Sequence, residues 1–230
     1  RFVVASREVA AGELILQATA FAAAVTPLAR KMICICCLGK LSEKTRLCDG
    51  CGHAFCSEEC AEADRPLHEV ECAVRRRLRG ANFNDFTLTL TALAARALAR
   101  GSFVADDNNN KKEVLDLCCH RGSAPLQLVS DFRAAERVAK RAAPQLAEQD
   151  FVGLMLRCFS NGFSRRDAEG ETALLLAPAA AYFNHSCAPN ACRDSSEGLQ
   201  LQFWALETIS AGLPVHISYV DLPCDPAEPN

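Results

Sequence analysis

Eight of the fourteen cysteines lie between Cys34 and Cys72, and seven of them with His68 fall into four close pairs: Cys34-x2-Cys37, Cys48-x2-Cys51, Cys56-x3-Cys60 and His68-x3-Cys72. Zinc takes thiolate and imidazole ligands four at a time, and a C-x2-C turn brings two sulfurs to one ion. Eight such ligands make two sites. Residues four apart share a face where the segment is helical, which suits His68 with Cys72 and Cys56 with Cys60. Four protein ligands leave no position for water or substrate, so the zinc is structural, and a segment this small takes its folding free energy from the metal. Cys36 and His53 are rival ligands nearby, but they lack partners at the right separation and are excluded. In a secreted chain this density would mean disulfides. C-x2-C pairs without a signal peptide point instead to a reducing compartment, the cytoplasm and/or the nucleus.

A second constellation stands near the other end: Tyr182-Phe183-Asn184-His185-Ser186-Cys187-Ala188-Pro189-Asn190, then His216-Ile217-Ser218-Tyr219-Val220-Asp221. Taken singly, the first reads as a capped turn and Tyr219 as a satisfied core residue at a strand end.

Positioning these groups falls to strands at the two ends and helices between. Phe2-Val3-Val4-Ala5 and Glu13 to Gln17, with a turn at Ala11-Gly12, read as a hairpin. Asn84 to Phe159 reads as helical, including Lys111 to His120 and Asp131 to Ala142, with Asp106 to Asn110 as a polar loop and Pro144 ending a helix. Leu199 to Leu206 and Val215 to Tyr219 read as strands around a turn at Ala211-Gly212. Arg75-Arg76-Arg77-Leu78-Arg79 reads as a solvated helix end, where cations suit the negative pole. The fold class is α+β, its sheets completed by distant parts of the chain.

Composition narrows the function. A net charge of −3 gives no general pull toward nucleic acid or an anionic membrane, and Arg interrupts the Ala-rich stretch before it could span a bilayer. A nucleic-acid reading rests on Arg75 to Arg79 alone. The start at Arg1-Phe2-Val3-Val4 reads as a fragment beginning inside a domain.

In every spacing the cysteine array resembles the MYND zinc finger. The family's interleaved ligation implies Cys34, Cys37, Cys56 and Cys60 on one zinc and Cys48, Cys51, His68 and Cys72 on the other, and its fingers imply a proline-containing peptide as partner. The second constellation resembles the two signature motifs of the SET domain, N-H-S-C-x-P-N and I-x-Y-x-D. Together they resemble the SET and MYND domain-containing protein lysine methyltransferases over all 230 residues. The resemblance implies SET-domain β-sheets with a pseudoknot, interrupted by the finger and a helical insert. Its parts would be residues 1–30 and 160–222 for SET, 31–75 for MYND, 76–159 for the insert and 223–230 as an extended exit.

It also implies S-adenosylmethionine as cofactor and a protein substrate carrying a target lysine, histone or non-histone. Asn161, Ala181, Asn184 and His185 would contact the cofactor, Tyr219 would align the transferring methyl as the catalytic residue, and Phe163 would line the lysine channel. His120 aligns with a cofactor contact of the insert, and a core or surface histidine fits that position equally. Three features depart from the family. Its opening G-x-G would sit before Arg1; Leu213-Pro214 replaces an acidic pair and removes a strand donor; and the C-x-C-x2-C cluster that joins Cys187 in a third zinc site is not reproduced by Cys192 and Cys224. The alternative function is a catalytically inactive adaptor that binds through its finger.

Overall fold

The computed structural model describes residues 2–41, 43, 45–103, 108–168, 170–194 and 198–220. In chain order the elements are β1 (Leu14–Thr19), β2 (Ala22–Val25), β3 (Arg46–Leu47), β4 (Ala54–Phe55), α1 (Glu58–Leu78), α2 (Asp85–Phe103), α3 (Asn108–Asp116), α4 (Leu126–Ala142), α5 (Phe151–Asn161), β5 (Gly162–Asp167), β6 (Gly170–Leu176), β7 (Asn184–His185), β8 (Ala191–Asp194), β9 (Gln200–Ala205) and β10 (His216–Ile217). Among the described residues no helix is long and apolar enough to cross a membrane. The chain divides into two units, residues 1–18, 179–194 and 201–230, and residues 19–178 and 195–200.

In the first unit, β1, β9 and β8 form a sheet in that order. Strand β9 alternates, burying Leu201, Phe203 and Ala205, as a strand with one face on a core must. The expected hairpin of Phe2–Ala5 with Glu13–Gln17 does not form. Val4 bridges Pro214, Val9 bridges Ile209, and Ala205 donates its N–H to Glu13 O and accepts from Gly12 N–H. The turn is where it was expected, with Gly12 at φ +76°, yet the segments on either side of it pair with the C-terminal part of the chain. Local pattern predicts strands well but carries no information on a partner two hundred residues away. The same ladder accommodates Pro214. Ala5 N–H donates to Leu213 O at 2.9 Å and Val215 N–H to Val3 O at 3.0 Å, so both bonds flank the proline and its missing donor is not needed.

The second unit has an antiparallel sheet in the order β2-β6-β5, in which every residue of β2 is buried. Helix α2 packs on α1, α4, α5 and β2. Helix α1 is capped by Ser57, whose side chain accepts from Cys60 N–H at 3.2 Å, with Glu58 and Glu59 in the first turn and Arg75 to Arg77 in the last. Both ends therefore complement the helix dipole. Arg76, Arg77 and Arg79 are exposed as expected, whereas Arg75 is buried. Three helical boundaries differ from expectation. Asn108 to Asn110 belong to α3, and that helix stops at Asp116, before Cys118 to His120. Helix α4 starts earlier, at Leu126, and ends at Ala142 before Pro144. Asp106, Asp107 and the exit segment 223–230 lie outside the described residues.

Buried charge ties the second unit together. Arg96, on α2, donates to Asp64 from Nη2 at 2.5 Å and to Glu71 from Nη1 at 2.7 Å, both on α1, and Arg75 Nε donates to Glu71 at 2.6 Å. Arg75 also reaches Val25 O at 2.9 Å, linking α1 to β2. Burial by itself would push the Glu71 carboxyl up. The Arg75 and Arg96 guanidiniums more than offset it and hold it well below the usual carboxylate range.

Candidate functional site

Two groups of metal-ligating atoms assemble in the second unit, Cys34, Cys37, Cys56 and Cys60, and Cys48, Cys51, His68 and Cys72, with all ligand atoms of a group within 4.8 Å of one another. This is the interleaved pairing. Cys37 and Cys56 sulfurs are 3.7 Å apart, Cys56 and Cys60 3.5 Å, Cys48 and Cys72 3.7 Å, and Cys51 Sγ is 3.6 Å from His68 Nε2. A tetrahedral zinc with sulfurs at ~2.3 Å has ligand–ligand edges of about 3.8 Å, so the residues fit the ion.

The chain folds this way for local reasons. The first cysteine turn is closed by Leu38 N–H donating to Cys34 O and by Gly39 N–H directed at Cys37 Sγ at 3.4 Å, an orientation that stabilises a thiolate. In the second turn Gly52, at φ +72°, donates to Cys48 O at 2.7 Å. Gly50 is required for another reason. A Cβ there would lie 2.8 Å from Cys72 Sγ and 3.1 Å from the Arg76 side chain, inside the metal cluster. Helix α1 carries Cys60, His68 and Cys72, and so holds ligands of both sites.

The rivals stay out of both groups. Cys36 is a thiol pushed up first by burial and then by Asp64, and burial followed by Arg75 pushes His53 down to about 3, leaving it neutral. Glu71 lies beside the other face of His68, with 3.9 Å between Oε2 and Nδ1. Its role, like that of Arg96, was not legible in the sequence, because a buried carboxylate has no spacing signature.

The other candidate residues lie in loops and short strands. In the first unit β7 and β10 pair in parallel, with His216 opposite Asn184 and Ile217 opposite His185, and Ser186 N–H donates to Ile217 O at 2.9 Å. The segment carrying Tyr219 thus runs beside the Asn184-His185-Ser186 loop. Tyr219 N–H donates to His185 Nδ1 at 3.1 Å, its hydroxyl donates to Phe183 O at 2.5 Å, and the two rings sit 5.4 Å apart. Burial of the hydroxyl end pushes the Tyr219 phenol up, although the residue as a whole is 62% exposed. Asn190 clamps the crossing: its Oδ1 accepts from His216 N–H at 2.8 Å and its Nδ2 donates to Pro214 O at 3.0 Å. Phe183 anchors the loop by stacking on Phe203 in the core, 4.4 Å between centroids. Ala181 is half-buried, and Asn184 and His185 are exposed.

In the second unit Asn161 ends α5, and its Nδ2 donates to Cys118 O at 2.8 Å and Arg157 O at 2.9 Å. It thereby holds the segment leading to His120, an exposed residue with a left-handed φ of +44°. A histidine in that region is uncommon and marks a constrained site. Phe163 lies on β5 opposite Leu175, half-buried. Asp221 and Cys224 lie outside the described residues, and Cys187 is exposed with its sulfur 3.2 Å from His185 Nε2.

An α+β fold with a cysteine-rich module, a helical block and two short motif strands paired in parallel across the chain defines a SET-type protein. The chain belongs to the SET domain family, whose model matches residues 1–220. It is 29% identical to N-lysine methyltransferase SMYD2 of Mus musculus over 220 residues, covering 92% of this chain and 49% of that protein. To SMYD2 of Gallus gallus it is 29% identical over 227 residues, 95% and 51% of the two chains. To SMYD2-A of Xenopus laevis it is 26% identical over 243 residues, 96% and 52%. The chain spans about half the length of the curated relatives it matches.

Proposed function

We propose that the protein carrying this chain is an S-adenosylmethionine-dependent protein lysine N-methyltransferase. The observation that carries this reading is the parallel pairing of Asn184-His185 with His216-Ile217, which sets Tyr219 against His185. Relatives named as N-lysine methyltransferases support the same chemistry.

The cofactor, when bound, supplies a methyl on a sulfonium that a neutral amine displaces in line. Such a reaction needs alignment and exclusion of water more than acid or base strength. Asn184 and His185 would hold the adenosyl part, with Asn161, Ala181 and His120 as further contacts. The Tyr219 hydroxyl, kept protonated by its raised pKa, would orient the methyl and the attacking nitrogen. Lysine, with an ordinary pKa near 10.4, must lose its proton before attack, and a poorly hydrated aromatic wall such as Phe163 favours the neutral amine.

The two cysteine clusters would hold one structural zinc each, and no reaction step falls to them. Binding worth ~10–16 kcal/mol exceeds the ~3 kcal/mol that Pro66 costs in the interior of α1, so the metals can hold that helix in place despite the proline. Cys187 would join a third zinc only together with further cysteine ligands, and the residue ranges 1–30, 31–75, 76–159 and 160–222 are the division this reading assigns. The finger would take a proline-containing peptide, and the free thiols fit the cytoplasm and/or nucleus. The missing donor of Pro214 does not count against this reading, since the ladder on both sides of it is intact.

The test is transfer of labelled methyl from S-adenosylmethionine to lysines of a protein mixture, by the longest parent protein that carries this chain and by its Tyr219→Phe variant. Transfer that falls about 10²–10³-fold in the variant, with an unchanged melt, supports the reading. Equal transfer by both removes Tyr219 from the mechanism.

A further inference from the structure

The basic run at the end of α1 has no part in methyl transfer, and two of its members line a cleft of about 510 Å³ in the second unit. The cleft lies among the turn Leu28–Lys31, the loop at Gly52-His53, the end of α1 and the start of α2. Its charged and ionisable side chains are Arg30, Lys31, Arg75, Arg79, His53 and the ligand thiol Cys51, and no carboxylate of the described residues lines it. Arg75 is neutralised by Glu71, and Arg30 donates to Pro27 O at 2.9 Å. Among the described residues Lys31 and Arg79 have no carboxylate partner, so the cleft carries uncompensated positive charge.

A second, independent observation points to a ligand. His53 lines the cleft, is 3% exposed, and among the described residues has no hydrogen-bond partner on either ring nitrogen. Buried polar atoms are nearly always paired, and one left unpaired beside a cationic cleft asks for an anion or its bound water. The rest of the wall is apolar, with Leu78, Phe83 and Leu88. Nucleic acid would want an open track of cations for its evenly spaced phosphates. A short, half-open cleft with an apolar wall fits carboxylates carried beside a bulky side chain.

We propose that this cleft binds an acidic peptide segment of a partner protein, with one or two carboxylates on Lys31 and Arg79 and an adjacent large apolar side chain against Phe83 and Leu88. It is separate from the reaction and from the proline-peptide role given to the finger.

The test is fluorescence anisotropy on the 230-residue chain with three labelled probes: the peptide Gly-Leu-Glu-Phe-Asp-Gly, its Gln/Asn counterpart, and a single-stranded oligonucleotide. The acidic peptide is expected to bind at least about tenfold tighter than the neutral one. Lys31→Glu with Arg79→Glu should weaken it by about tenfold or more. Arg77→Glu with Arg141→Glu, which reverses the same charge around a different cleft, should leave it unchanged with the same melt. Absent or equal binding of the two peptides, or equal loss in both double variants, would overturn the proposal. An oligonucleotide that binds as tightly and is lost with Lys31 and Arg79 would overturn it too, by marking a general polyanion patch.

Discussion

Tyr219 donates its backbone N–H to Nδ1 of His185 at 3.1 Å, so the neutral imidazole carries its proton on Nε2, which faces the Cys187 sulfur at 3.2 Å. Two residues separated by more than thirty positions thereby set one another's orientation. The second bond, from the Tyr219 hydroxyl to Phe183 O, fixes the phenol at the residue preceding Asn184.

That burial has a consequence for pH. The folded-state pKa of Tyr219 is raised above its ordinary value near 10, so the neutral phenol's contribution to stability is full below about 10 and is lost as pH rises through the folded value. The chain has two tyrosines, so a Tyr182→Phe variant leaves only Tyr219 to titrate. Phenolate absorbance near 295 nm is expected to appear with a midpoint above about 10. A midpoint at or below that value would show the hydroxyl to be free in water.

Asn190 holds both Pro214 and His216 through one side-chain amide. Asn190→Ala removes two hydrogen bonds, each worth about 1 kcal/mol net and more where a group is left unpaired. The expected loss is about 2 kcal/mol in urea unfolding, with looser placement of Tyr219. No loss would mean that backbone pairing alone holds the crossing.

The two ligand clusters make a selective prediction. Cys48→Ser should lose one of the two metals and keep the one on Cys34, Cys37, Cys56 and Cys60, which metal analysis after desalting would read as about one zinc per chain. Gly50→Ala should do the same without touching a ligand, because its Cβ would fall 2.8 Å from Cys72 Sγ. Retention of two zincs by Cys48→Ser would break the pairing.

Arg96 faces two carboxylates in the interior, Asp64 and Glu71. Arg96→Met leaves Asp64 uncompensated and Glu71 with Arg75 alone, which should cost about 3–5 kcal/mol, the range for breaking a buried ion pair from one side. Arg96→Lys should recover only part of it, since an ammonium lacks the planar fork that meets both carboxylate oxygens of Asp64. A change below ~1 kcal/mol in Arg96→Met would show that water reaches the site.

The metal pairs and the crossing motifs were legible because their information is local: thiol spacing, an Asn-His-Ser run and a Tyr at a strand end. The interleaving and the threading came from family resemblance, and the geometry agrees with both. What was not legible is non-local. The segment Phe2–Ala5 looks like half of a hairpin until Leu213–Val215 is in place. Arg75 looks like its solvated neighbours until Glu71 and Val25 surround it. Asn108 to Asn110 look like a loop because Asn favours turns, yet a helix includes them.

The most direct test of a working cofactor site is calorimetric titration of the zinc-loaded protein with S-adenosylhomocysteine, on the 230-residue chain and on the longest parent protein that carries it. Saturable binding at one site, weakened at least about tenfold by Asn184→Ala, is the expected result. No binding by either form, with two zincs present and a cooperative melt, would contradict a methyltransferase.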